Sequence, residues 1–105
     1  MDEVQVARAA IKAGDAAEAR RRLEQADGAD PTVRELLARV YYLELDYLAA
    51  IEAWESAYPA YRAAGDAVGA VRIARTLAGM YYAVRGEPAV GAGWMARART
   101  LLPDN

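Results

Sequence analysis

The side chains of this chain can do little covalent chemistry. There is no histidine and no cysteine, and Ser56 is the single serine. Imidazole-activated nucleophiles, thiolates and the usual zinc sites are thereby excluded. Glu52 and Glu55 stand three residues apart, which puts two carboxylates on one helix face, as a general acid and a general base require. The same spacing is ordinary on a solvated helix, especially with Arg62 nearby in sequence. The chain therefore reads as nonenzymatic, with no catalytic residue, no metal and no cofactor. Arg20-Arg21-Arg22 is the densest run of cations. On a helix its members fan about 100° apart, Glu18 and Glu24 lie within reach as ion partners, and no aromatic platform for stacking bases stands beside them. With a net charge of −2, the run reads as a solvated face, and no direct nucleic-acid binding is expected.

Recognition is better served than reaction. Tyr41-Tyr42 and Tyr81-Tyr82 are adjacent pairs, so on a helix one ring of each faces a core and the other faces out. The expectation is Tyr41 and Tyr82 inside, with Tyr42 left either as a wet anchor for a ligand or in a second packing layer.

The elements that must carry these residues are helices. Alanine fills 26 positions and arginine 12, valine, isoleucine and threonine are scarce, and no run alternates with period two. The excess of arginine over a single lysine is also that of a GC-rich bacterial genome. No apolar stretch approaches the roughly 20 residues of a membrane span, and Met-Asp-Glu-Val-Gln has neither the basic nor the apolar region of a signal peptide. Together with the lack of cysteine, this suggests a cytoplasmic protein with no membrane partner.

One helical stripe is written three times. Asp15 is followed by Ala19, Leu23, Ala26 and Pro31; Asp46 by Ala50, Trp54 and Ala57; Glu87 by Gly91, Met95, Ala98 and Pro103. Trp54 and Met95 hold the large position of the stripe, so both are expected in the core. Gly14-Asp15, Asp30-Pro31, Gly65-Asp66 and Gly86-Glu87-Pro88 place helix stops beside helix starts. Gly28 is expected to stop the second helix, and Pro59 to kink or break the fourth. The punctuation yields one all-α domain over residues 1–105, in three antiparallel helix hairpins at about 3–26, 31–64 and 67–102. A unit repeated in this way buries its apolar faces on its neighbours as a solenoid.

Stripe and turns together resemble the tetratricopeptide repeat over nearly the whole chain. Leu37, Ala38 and Tyr41, and later Gly79 and Tyr82, match its apolar, small and aromatic positions. Leu45 and Arg62 depart from its turn glycine and its proline, and Ala10 stands where an aromatic is usual. The step from Asp15 to Asp46 is 31 residues and that from Asp46 to Glu87 is 41, so helices four and five should be longer. Ala63-Ala64-Gly65-Asp66, Arg72-Ile73-Ala74, Arg85-Gly86-Glu87-Pro88-Ala89-Val90 and Gly93-Trp94-Met95-Ala96-Arg97-Ala98-Arg99 are further similar to the repeat region of actinobacterial LuxR-type helix-turn-helix regulators. There the repeats sense or bind and a separate domain contacts DNA.

The resemblance implies a short right-handed stack whose first helices line a peptide-binding groove. Carried over position by position, that groove holds Val4, Arg8, Ile11 and Lys12, then Glu35, Arg39 and Tyr42, then Thr76, Met80 and Ala83. Arg8 and Arg39 would orient an acidic or carboxylate group of a protein or peptide through their planar donor forks, and Tyr42 and Met80 would add apolar contact. The last helix offers a rival. Val90, Trp94, Ala98 and Leu101 form a candidate association face through which the chain would pair as a homodimer, unless Trp94 and Leu101 fold back onto helix five.

Overall fold

The computed structural model describes residues 2–102, which form six α-helices and no strand. They are α1 (Glu3–Lys12), α2 (Ala16–Leu23), α3 (Pro31–Leu43), α4 (Tyr47–Ala63), α5 (Ala67–Ala83) and α6 (Pro88–Leu101). Aspartate starts five of them. The carboxylates of Asp2, Asp15, Asp30, Asp46 and Asp66 accept from the backbone N–H groups of Gln5, Glu18, Thr32, Ala49 and Gly69 at 2.8–3.2 Å, which satisfies donors that the first turn leaves open. Glu87 makes no such bond at the start of α6 and relies on Pro88 at the first helical position.

Three turns share one hydrogen-bond pattern. The N–H groups of Asp15, Asp46 and Asp66 reach back five residues to the carbonyls of Ala10, Tyr41 and Tyr61 at 2.8, 2.9 and 3.0 Å. The preceding residue has positive φ in each case: Gly14 at 78°, Leu45 at 64° and Gly65 at 74°. Leu45 is the one non-glycine residue in that conformation among those described, and it occupies the position where the repeat pattern expects glycine. In the fourth turn Glu87 reaches back six residues, to Tyr81, at 2.8 Å. That turn is one residue longer.

One expectation about a helix end changes, and at Pro59 the break, one of the two outcomes expected there, does not occur. α2 stops at Leu23, well before Gly28, because the segment from Glu24 to Asp30 closes its own turns, with Asp27 accepting from the Ala29 N–H at 2.9 Å. α4 runs unbroken through Pro59. The proline there is exposed, and the helix forgoes one hydrogen bond rather than dividing. The extra residues between the second and third stripes do lie in long helices, since α4 and α5 have 17 residues each. Pro103, expected to end the sixth helix, lies outside the described residues.

The chain divides into two units, with the boundary between Ala53 and Trp54, inside α4. In the first, α1 and α2 pack on each other and both pack on α3. Ala7, Ile11, Leu23, Val33, Leu36 and Val40 form one buried cluster, with Val4 and Leu37 against its edge. In the second, α5 packs along α6. Ala70, Ile73, Ala74, Leu77 and Ala78 of α5 are buried, as are Gly91, Trp94 and Ala98 of α6. The stripes are the buried faces of their helices: Ala19 and Leu23, Ala50, Trp54 and Ala57, then Gly91 and Ala98. No described helix is long and apolar enough to cross a membrane.

Candidate functional site

Several of the carboxylates and arginines find partners of ordinary kinds. The Tyr81 hydroxyl donates to Glu55 at 2.9 Å, so Glu55 ties α4 to α5, while Glu52 is exposed. Burial, and then the bond to Glu55, raise the Tyr81 pKa above the usual phenol value. In the arginine run, Arg21 and Arg22 both donate to Glu18, and their hydrogen bonds, Arg22's first, lower the Glu18 pKa. Arg20 instead pairs with Glu44 and lies over the half-buried Tyr41 ring at 5.0 Å. Glu24, expected as a partner, is bypassed because Glu44 stands at the C-cap of α3, across the packed face from α2. The run is thus a paired surface.

Positions expected to line the groove meet different fates. On α1, Arg8 and Lys12 are exposed, but Ile11 belongs to the buried cluster and Val4 packs against it. On α3, Glu35 is half-buried, Arg39 is exposed and Tyr42 is 46% exposed. The Tyr42 ring tilts against Tyr47 at 5.4 Å. On α5, Met80 is only 7% exposed and cannot meet a ligand. Tyr82, expected inside, is 69% exposed, and Tyr81 takes the inner place.

One shift of register explains these last two corrections. An offset of 40 carries Leu37, Ala38 and Tyr41 onto Leu77, Ala78 and Tyr81. Ala38 and Ala78 are both buried, and Tyr41 and Tyr81 are both half-buried. Matching Gly79 and Tyr82 instead moves the pattern by one residue, which turns a helix face by about 100°. With the offset set by burial, Glu35, Arg39 and Tyr42 correspond to Arg75, Gly79 and Tyr82. None of these three was assigned to the groove from the sequence, because Ala78-Tyr81 and Gly79-Tyr82 share one spacing and only burial chooses between them.

Arg75, Gly79 and Tyr82 all face a hollow. One hollow of about 470 Å³ lies between α5 and α6, with Ala78 and Gly79 on one side, Gly91, Ala92 and Met95 on the other, and Tyr82 at its end. A second, of about 500 Å³, lies further along the pair, walled by Val68, Val71, Leu101 and Leu102. Arg75 lines both, so the two hollows meet at this residue. Of the α5 positions first assigned to a groove, Thr76 lines the second hollow and Ala83 the first. Arg72 is held by stacking over Tyr61 at 5.5 Å and by a bond to its hydroxyl at 3.3 Å. Arg75 makes no ion pair among the described residues. Among the described residues neither lining holds a carboxylate.

The expected association face of α6 is mostly spent inside the second unit. Trp94 is 8% exposed, meets Tyr58 edge-on at 5.1 Å and is capped by Arg97 at 4.2 Å. Ala98 is buried and Leu101 is half-buried, which leaves Val90 exposed. Trp94 takes the large core position that the stripe gave to Met95, while Met95 is half-buried at a hollow. Among the described residues no cluster of acidic side chains could hold a metal ion. No known family model, no curated protein and no solved structure matches the chain.

Proposed function

We propose that this chain is a noncatalytic module that binds a protein or peptide, built as three helix hairpins in a short right-handed tetratricopeptide-like stack and working in the bacterial cytoplasm. The carrying observation is the hollow face of α5. Its Arg75, Gly79 and Tyr82 repeat the spacing of Glu35, Arg39 and Tyr42 in α3, and they combine a cation with no ion pair among the described residues, an exposed ring and open apolar space. Such a mixture suits a ligand with apolar side chains and an acidic or carboxylate group. Arg75 thus takes the orienting role first given to Arg8 and Arg39, and Tyr82 the apolar role first given to Met80. The interaction region of a LuxR-type regulator is the setting that the quoted segments favour.

Selection of random peptides on the purified chain, with the Gly79→Leu variant as the counter-target, tests this reading. A Cβ at Gly79 meets no atom within 4 Å, so a leucine side chain there starts in open space and extends into the hollow, and circular dichroism checks that the fold is kept. Peptides retained by the parent and lost on the variant are expected. A selection that enriches nothing, or the same peptides on both proteins, contradicts the assignment.

A further inference from the structure

We propose that the occupant of the α5–α6 groove is a single amphipathic α-helix of a partner protein, apolar at two points of its contact face and carrying a carboxylate between them that pairs with Arg75. The inference rests on the peptide-binding reading and specifies the ligand's form and charge.

Length favours an elongated ligand. The two linings run from Ala67 to Ala83 on α5, about 24 Å at 1.5 Å per residue, and both hollows are open to solvent rather than enclosed. Small residues favour a close approach: Ala78, Gly79, Gly91 and Ala92 line one end, and helices pack at about 8–10 Å where side chains at the contact are short.

Backbone chemistry separates a helix from an extended strand. A strand laid in the groove would surrender water from its N–H and C=O groups and need polar partners in return. Apart from the two arginines, the described side-chain linings offer two hydroxyls, that of Thr76, which already donates to the Arg72 carbonyl at 2.9 Å, and that of Tyr82 in the first hollow, too few to pair the backbone of a strand. A helix satisfies its own backbone and presents only side chains.

Charge names the middle residue. Arg75 sits where the hollows meet, and among the described residues it has no ion pair and neither lining holds a carboxylate. A partner carboxylate at that point gains a forked, charge-assisted pair. The centres of the hollows lie about eight α5 residues apart, about 12 Å. The partner face should therefore read apolar, acidic and apolar at i, i+4 and i+7 or i+8.

The probes are alanine-based 18-residue peptides with leucine at the two apolar positions and glutamate, glutamine or lysine between them, plus a glutamate peptide broken by a central proline. Titration by fluorescence anisotropy against the full chain should place the glutamate peptide about tenfold tighter than the glutamine one, with lysine weakest and the proline peptide lost. Arg75→Gln should erase the glutamate preference, and Gly79→Leu should abolish binding of every probe while circular dichroism stays that of the parent. Equal affinity for glutamate and glutamine overturns the charge assignment. Undiminished binding of the proline peptide overturns the helical form and leaves the peptide-binding reading standing, whereas no binding by any probe overturns the inference. A homodimer dispersed by Gly79→Leu would assign the groove to a second copy and likewise overturn it.

Discussion

Gly91 and Ala78 bring α6 and α5 together backbone to backbone: a Cβ on Gly91 would lie 2.9 Å from the Ala78 carbonyl oxygen. Helix propensity alone favours Gly91→Ala by about 1 kcal/mol, but here the methyl group meets a main-chain atom that cannot step aside. Overpacking of this kind costs about 1–3 kcal/mol. Gly91→Ala is expected to lower the midpoint of urea unfolding.

Gly79 sits on the same pair of helices with the opposite consequence. Its Cβ would point into open space, so Gly79→Ala should stabilise the free protein by about 0.5–1 kcal/mol. The same methyl group shallows the hollow and should weaken peptide binding. Unfolding midpoints and anisotropy titrations on one preparation would show the two effects moving apart.

Gly69 is needed for a different contact. A Cβ there would run into the Tyr61 ring, which is buried and whose hydroxyl accepts from Arg72 at 3.3 Å. Gly69→Ala should destabilise by about 1–3 kcal/mol. Restoration of the midpoint by Tyr61→Leu in the double variant would identify the ring as the cause.

Leu45 holds φ 64° with its side chain 72% exposed, so it bears backbone strain without the reward of burial. The left-handed conformation costs a non-glycine residue about 1 kcal/mol, part of which the greater freedom of glycine in the unfolded chain cancels. Leu45→Gly is expected to raise the thermal midpoint, with a net gain of about 0.5 kcal/mol. Leu45→Ala, which keeps the strain, should not.

Two groups contribute to the pH dependence of stability, one on each side of neutrality. The folded chain binds the Glu18 proton more weakly than the unfolded chain, because Arg22 and Arg21 hold the carboxylate. That stability is present above the ordinary glutamate pKa of 4.5 and is lost as pH falls through the lowered folded value. Tyr81 runs the other way, since its proton is held by burial and by Glu55. Its contribution is complete below the ordinary pKa of 10.0 and is lost as pH rises through the raised folded value. In urea titrations across pH, Glu18→Gln should flatten the acid limb and Tyr81→Phe the alkaline limb.

Helix starts were legible in the sequence because aspartate caps and glycine turns act within a few residues. The buried stripes were legible because a spacing of four, four and three describes one side of a helix wherever it occurs. The register of α5 was not, because Ala78-Tyr81 and Gly79-Tyr82 offer the same small-to-aromatic spacing, and only packing chooses between them. Trp94 and Met95 posed a similar ambiguity, since steps of three then four and four then three from Gly91 both end on Ala98. The hollows arise from the pairing of α5 with α6, which no local pattern contains. Once the register moved by one residue, the groove side chains followed.

The most direct test of the account is a two-dimensional NMR titration of the labelled chain with the glutamate peptide, read at backbone amides. Shifts concentrated at Arg75, Gly79, Tyr82 and Gly91, and absent in Gly79→Leu, are the predicted result. Shifts confined to α1 and α3 around Arg8 and Arg39, or no shifts at saturating peptide, would contradict binding in the α5–α6 groove.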